Sequence, residues 1–490
     1  MKFRSIPVRV MLLLCSLLFS AESNEQVSEK CEFNCFSVMA GKNATVDGSV
    51  MFAHNEDDYG DQLVNWYIVP AQKHKQGEAM IMRHGGTLPQ PDQTWSYLWL
   101  EMPGMEFSDS YMNEWGVTIG SDQCISREEY PELTDGGIGY ELREAMAARA
   151  KTAREAVKIG GALVGQFGYT DSGRTYCIAD ANEAWMLSVV NGKHWVAQRI
   201  PDNEVAIIPN YYTITAINLK DTINFYGSAD LVSYAENKGW FNPGHEAVFS
   251  FRKAYGDPGN LTNMGNLIRH WSAINLMAER EYKVDDEFPF SFEPKQKVTL
   301  NLLFTILRNH NEGSDYDESK GYTLGDPHGY VRAICSPATQ YGFVAQLRSN
   351  LPQEIAFVIW IAPFRPCVQP FIPWYSGITE IPEGYSTGDY QTARKNQFIE
   401  IENIRGESSR DHKFLEYVDY ANQVDENYRS EIESIRKKTG EMENDLIQNQ
   451  KEFENRVISE IETDFSAGLE LITKYTQHQL EWSEKIMKSK

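Results

Sequence analysis

Four short β-like runs follow one another between Thr175 and Ile208, and the breaks between them are too short to hold a helix. The runs are Thr175–Asp180, Ala184–Val190, His194–Arg199 and Val205–Ile208. The breaks are Ala181-Asn-Glu183, Asn191-Gly192-Lys193 and Pro201-Asp-Asn203, all of them turn chemistry. Strands joined this closely run antiparallel, because a parallel pair needs a crossover of about a dozen residues or more. The centre of the chain therefore predicts an antiparallel meander. Two further strand-rich stretches lie on either side. Phe36–Gly41 and Ser49–His54 flank Asn43–Gly48 and read as a hairpin, and Gln340–Leu347 and Ile355–Ile361 are separated by Ser349–Pro352. Between them Tyr140–Lys151 is rich in alanine and charge, and Thr152-Ala-Arg-Glu155 has the form of a capping box opening the next helix. Leu261–Arg280 and Asn301–Asn309 are further helix candidates. Strands, then helices, then strands again predict a layered α+β body with antiparallel sheets.

Both ends of the 490-residue chain differ from this body. Lys2, Arg4 and Arg9 precede the apolar run Val10–Phe19 and the small-x-small site Ala21-Glu22-Ser23, so residues 1–23 read as a secretory signal. That run is far shorter than the ~20 apolar residues a membrane span needs. The expectation is an exported protein with no membrane insertion after cleavage of the signal; whether it ends in a periplasm, a lumen or the medium stays open. Beyond Pro382, the last proline, charged residues alternate with sparse apolar ones. Phe453, Val457, Ile461, Phe465 and Leu469 recur every four positions and mark one face of a long helix. Residues 386–490 are read as a helical region packed on the body, with a homo-oligomerising coiled coil as the alternative. A net charge of −23 repels phosphate backbones and anionic lipid, which argues against nucleic acid as a partner. With 42% hydrophobic residues, wholesale disorder is excluded.

Cys15 leaves with the signal, and the six remaining cysteines form no C-x-x-C pair, so the spacing does not indicate a thiolate zinc site. Cys35 lies a few residues beyond the signal site. If residues 24–34 were removed as a propeptide, the α-amine of Cys35, with a pKa near ~8, could take the proton of its own thiol, near ~8.5. One residue would then supply nucleophile and base. The bland alternative is a buried cysteine or a disulfide with Cys31. Read alone, Glu56, Asp57, Asp58 and Asp61 are a solvated acidic turn or a calcium loop, and Asn113 and Asn210 are turn residues. Arg252 reads as a surface arginine. His310 reads as structural, since no HExxH-like spacing surrounds it. Gly325-Asp326-Pro327-His328-Gly329 is a loop rather than a phosphate cradle, and no dinucleotide fingerprint occurs.

Cys35-Phe-Ser-Val-Met-Ala-Gly41-Lys42, Asp47-Gly48-Ser49 and Ala53-His54-Asn55-Glu56-Asp57 together resemble the opening of the cysteine-type dipeptidases. These are N-terminal-nucleophile (Ntn) hydrolases related to the secernins. The resemblance continues through Asn113-Glu114-Trp-Gly116-Val117, Gly173–Asp180, Ile208-Pro-Asn210 and Leu307–Gly313, and so spans Cys35 to about Gly377. It implies a four-layer αββα sandwich over residues 35–385. It also implies a precursor that loses residues up to Asn34, and a Cys35 thiol that attacks short peptides through a thioester. Asp57 would orient the freed amine, Asn113 and Asn210 would stabilise the oxyanion, and no metal or organic cofactor is required. Phe36-Ser37 departs from the usual Thr-Thr, and His54 stands where arginine is common. Arg252 is a loose match to a substrate or thiolate partner. With Cys31 and Cys35 set aside, Cys124, Cys177, Cys335 and Cys367 allow three pairings that sequence cannot choose between, and Cys335 with Cys367 is the pair favoured, since both border the last strands. An N-acyl amidohydrolase of the bile-salt and penicillin hydrolase type, or a non-catalytic secernin-like interaction protein, are the competing readings.

Overall fold

Two antiparallel sheets stack face to face in the computed structural model, which describes residues 35–58, 62–317, 328, 333–399 and 409–488. The predicted signal, the propeptide with Cys31, Asp61 and all of the Gly325–Gly329 loop except His328 lie outside the described residues. In chain order the strands of the two sheets are β1 (Phe36–Ala40), β2 (Val50–Asp57), β3 (Asn65–Val69), β4 (Tyr97–Glu101), β5 (Ser110–Asn113), β6 (Thr118–Gln123), β7 (Tyr169–Ala179) and β8 (Ala184–Gly192). There follow β9 (Trp195–Ile200), β10 (Val205–Ile208), β11 (Phe225–Gly227), β12 (Ser291–Phe292), β13 (Thr339–Leu347), β14 (Phe357–Pro363) and β15 (Ile372–Tyr375). The seven-stranded sheet runs β12-β10-β1-β2-β13-β14-β15, and the eight-stranded sheet β11-β9-β8-β7-β6-β5-β4-β3.

The predicted hairpin is β1–β2, with Phe36 opposite Asn55. Every residue of both strands is buried, as a sheet covered on both faces requires. Three runs of the predicted meander are β7, β8 and β9, paired in sequence. The fourth is a correction: Val205–Ile208 leaves that sheet and pairs with β1 in the other. The turn after Ile200 carries the chain across, and the run's four consecutive buried residues suit a place inside the sandwich rather than at a half-exposed edge.

Helices close both outer faces. α1 (Glu141–Arg149) and α2 (Ala153–Phe167) lie on the eight-stranded sheet, with α2 against β8. Thr152 caps α2 by accepting from the Glu155 N–H at 3.1 Å, and Glu155 reaches back to the Lys151 N–H at 2.8 Å. α3 (Met264–Met277) and α4 (Leu300–Leu307) cover the seven-stranded sheet, α3 on β10 and α4 on β2 and β13. The result is the four-layer αββα sandwich.

Two long C-terminal helices, α5 (Lys413–Thr463) and α6 (Phe465–Lys488), complete this layer, with α6 against β15. The four-residue stripe does not continue along one helix. The chain reverses at Asp464, leaving Phe465 exposed, while Phe453 stacks on Tyr475 with ring centroids 3.7 Å apart. α5 also kinks at Asn427, whose φ and ψ are −128° and 18°. Glu443 accepts from Arg308 at 2.9 Å and from the Phe371 N–H at 2.8 Å, and Glu454 accepts from Arg348 at 3.0 Å. The helices belong to the same compact unit as the sheets. Among the described residues no helix is long and apolar enough to cross a membrane.

Candidate active site

Cys35 sits at the head of β1, in line with Glu56 on the neighbouring strand, and is 2% exposed. Its thiol donates to Glu56 Oε1 at 3.0 Å and lies 3.8 Å from the Asp57 carbonyl oxygen. Burial first, and then the charges of Glu56, Asp122 and Asp57, push the thiol well above its ordinary range, so the thiol of the uncleaved chain is protonated.

From the thiol a line of hydrogen bonds crosses the sandwich. Glu56 Oε2 faces His54 Nε2 at 3.0 Å, His54 Nδ1 faces Ser37 Oγ at 2.8 Å, and Ser37 Oγ donates to Asp122 Oδ2, on β6 of the other sheet, at 2.6 Å. Burial lowers His54 to about 4 and raises Glu56 to about 8. At neutral pH the imidazole is therefore neutral and Glu56 carries a proton. Asp122, raised to about 6 by burial, is ionised. These states fix one direction for the whole line: Cys35 S–H to Glu56, Glu56 O–H to His54, His54 Nδ1–H to Ser37, and Ser37 O–H to the Asp122 carboxylate. His54 does not stand in for a permanent cation. Gly120 lets the sheets approach here, since a Cβ at that position would lie 3.0 Å from the Phe52 ring.

Asp57, the last residue of β2, accepts from Thr339 Oγ1 at 2.6 Å and Ser336 Oγ at 2.9 Å. Burial raises it to about 7. Asn210 reaches Cys35 through one intermediary. Arg269 of α3 donates from Nη1 to the Cys35 carbonyl at 3.1 Å, and from Nη2 to Asn210 Oδ1 at 2.8 Å and Pro209 O at 3.1 Å. Asn210 also donates to the Gln123 carbonyl at 3.1 Å, and its φ of 72° is a conformation asparagine tolerates.

Asn113 is a correction. Its amide donates to the carbonyls of Ala147 and Ala150 at 2.7 and 2.8 Å, and its Oδ1 accepts from the N–H groups of Trp115 and Val117. Both amide protons are spent on the α1 terminus. The turn it closes also lies at the wrong end. Gly116 packs on Phe357, which pairs with Leu347, itself opposite Val50 at the far end of β2 from Asp57. That separation is about 23 Å of strand. Arg252 is buried rather than on the surface. It donates to the Phe288 carbonyl at 3.1 Å and pairs with Glu287.

Arg269, Asp122 and Glu56's place in the line were not found from sequence. For Arg269 the signal was an arginine and an asparagine, Asn266, three apart on the buried face of a helix. The thiol of Cys35, the imidazole of His54 and the carboxylate of Glu56 lie within 4.8 Å of one another and are of metal-ligand type, although the hydrogen bonds above already join them. All five described cysteines are free thiols, including Cys335 and Cys367.

Residues 34–426 match the model of peptidase family C69. A Latilactobacillus sakei protein named "Probable dipeptidase" is 27% identical over 379 residues, covering 74% of this chain and 78% of that one. The Bifidobacterium longum protein named "Dipeptidase" is 27% identical over 395 residues, covering 69% and 71% of the two chains. Among solved structures, penicillin V acylase from Agrobacterium tumefaciens covers 70% of this chain and 85% of its own, at 11% identity and a TM-score of 0.35.

Proposed function

The chain belongs to peptidase family C69 and is a peptide hydrolase, and from that premise we propose that it is an exported dipeptidase whose nucleophile is an N-terminal Cys35. Removal of the signal and of residues 24–34 frees the Cys35 amine. In its neutral form that amine accepts the thiol proton as sulfur attacks the substrate carbonyl carbon. The tetrahedral intermediate collapses, the ammonium returns the proton to the leaving amine, and a thioester remains. Water, deprotonated by the same amine, then hydrolyses the thioester and restores the thiol. Asp57, held on both oxygens by Ser336 and Thr339, orients the amine. The Asn210 amide, steadied by Arg269, serves the oxyanion.

The observation that carries this reading is the clamp around Cys35. Arg269 fixes its carbonyl, Glu56 receives its thiol, and the Asp57 backbone lies alongside. Before cleavage the same surroundings keep the thiol protonated, which suits a latent precursor. The test is intact mass and N-terminal sequencing of the secreted protein, with a dipeptide hydrolysis screen, beside Cys35→Ala. A mature chain beginning at Cys35, and complete loss of hydrolysis in Cys35→Ala, are expected. A chain that hydrolyses dipeptides while retaining residues 24–34 overturns the terminal-amine mechanism.

A further inference from the structure

Four buried metal-ligand side chains meet beside the loop that holds Asp57. His310 follows α4, His328 lies in the segment before β13, Cys335 stands just ahead of β13, and Cys367 follows β14. They are 0%, 3%, 0% and 1% exposed. One ligand atom from each lies within 4.8 Å of the other three. Cys367 Sγ is 3.7 Å from His328 Nε2. A zinc ion with Zn–N near ~2.0–2.1 Å and Zn–S near ~2.3 Å sets tetrahedral N–S edges of about 3.6 Å. The two imidazole rings meet at 81° with centroids 5.2 Å apart, so they approach the common point from different directions.

The surroundings have the form of a metal site rather than of a disulfide. A Cys335–Cys367 bond would use two of the four groups and would give no reason for two buried imidazoles to converge on the same sulfurs. Each histidine also turns its other ring nitrogen toward a carboxylate. His328 Nδ1 is 3.4 Å from Asp425 Oδ2, and His310 Nδ1 is 3.5 Å from Glu312 Oε1. Carboxylates in that position fix the orientation of ligating histidines and raise their basicity. The carboxylates are in turn held by cations, Asp425 by Arg365 and Glu312 by Arg436 at 2.8 Å.

The geometry points to a structural zinc site of two histidines and two cysteines: His310, His328, Cys335 and Cys367. Zinc binding displaces two protons from this cluster to solvent and leaves two thiolates and two neutral imidazoles around a divalent ion. Mixed sulfur and nitrogen ligation in a closed tetrahedron favours zinc over the oxygen-seeking cations. The ion would join four segments that no short spacing connects, which is why the C-x-x-C criterion missed it. It would brace Cys335, the residue before the Ser336 that holds Asp57, and anchor α5 through Asp425. No substrate-binding or catalytic role is assigned to it.

The full-length protein and its Cys35→Ala variant, purified without chelator, would be assayed for bound metal by elemental analysis. About one zinc per chain is expected in both, with loss of that zinc in Cys367→Ser and in His310→Gln. A variant that fails to fold would lose metal for an unrelated reason, so cobalt is also exchanged into the unsubstituted protein. A thiolate-to-cobalt charge-transfer band with intense tetrahedral d–d bands is expected. Three results overturn the site: no stoichiometric zinc and no such cobalt spectrum; an intact mass and peptide map that reveal a Cys335–Cys367 disulfide; or zinc that departs with Cys35→Ala, which would put the metal at Cys35, His54 and Glu56. Metal content is read without measuring hydrolysis, so this test and that of the dipeptidase reading fail separately.

Discussion

The two ends of the sandwich treat similar residues in opposite ways. At the Val50 end, Asn113 uses its whole amide to lock a turn onto the end of α1. At the Asp57 end, Arg269 links Asn210 to the Cys35 carbonyl, Glu56 receives the Cys35 thiol and Asp122 ends the line through His54 and Ser37, and burial pushes the carboxylic acids above their usual range. The first end satisfies backbone; the second concentrates unlike charges around one thiol. A motif match sees only an asparagine in each case, whereas the hydrogen-bond partners separate a turn from a site.

The contrast is broken most sharply by paired substitutions of the mature enzyme. Asn210→Gly suits the left-handed backbone at that position and removes the amide. A fall in kcat of about 100- to 1,000-fold is expected in the folded enzyme. Asn113→Ala is expected to do the reverse. It should lower stability by about 1–3 kcal/mol in denaturant titrations while the folded enzyme keeps its kcat. Equal effects of the two on kcat would erase the distinction between the ends.

A smaller effect sharpens it. Glu56 is raised to about 8 by burial, so the folded chain holds a proton that the unfolded chain releases in the ordinary carboxylate range. Its contribution to stability is fully present below that range and is lost as pH rises through about 8. His54, lowered to about 4, works in the opposite sense at acid pH, so the difference between chains is the informative quantity. In the chain carrying Cys35→Ala, adding Glu56→Gln is expected to shrink the fall in melting temperature between about pH 5 and about pH 8 by a few degrees. An unchanged pH profile would mean that Glu56 titrates normally.

What was legible in the sequence was local. The β1–β2 hairpin, the β7–β8–β9 succession and the Thr152 cap each rest on turn or capping chemistry within a few residues, and each is present. The departure of Val205–Ile208 to the other sheet was not legible, because its partner β1 lies far back in the chain. The same holds at the site. Cys35, Glu56 and Asp57 sit in one contiguous opening, and the structure brings them together. Arg269 and Asp122 arrive from a helix and from the second sheet, and no spacing announces either. The four-residue stripe near the C-terminus named a helix face correctly as far as Ile461, but periodicity does not report the reversal at Asp464.

The part of the chain matched by the family ends at residue 426, immediately before the kink at Asn427. The part that must fold together does not end there. Beyond the kink, Glu443 and Glu454 supply counter-charges to Arg308 and Arg348, and Glu443 also caps the Phe371 N–H inside the sandwich. A chain cut at the family boundary would strand a buried guanidinium at Arg348 and open the outer face of β15. For any effort to shorten, graft or fuse this protein, the usable module is thus longer than its recognisable homology: what is shared by descent and what is self-sufficient in water have different borders.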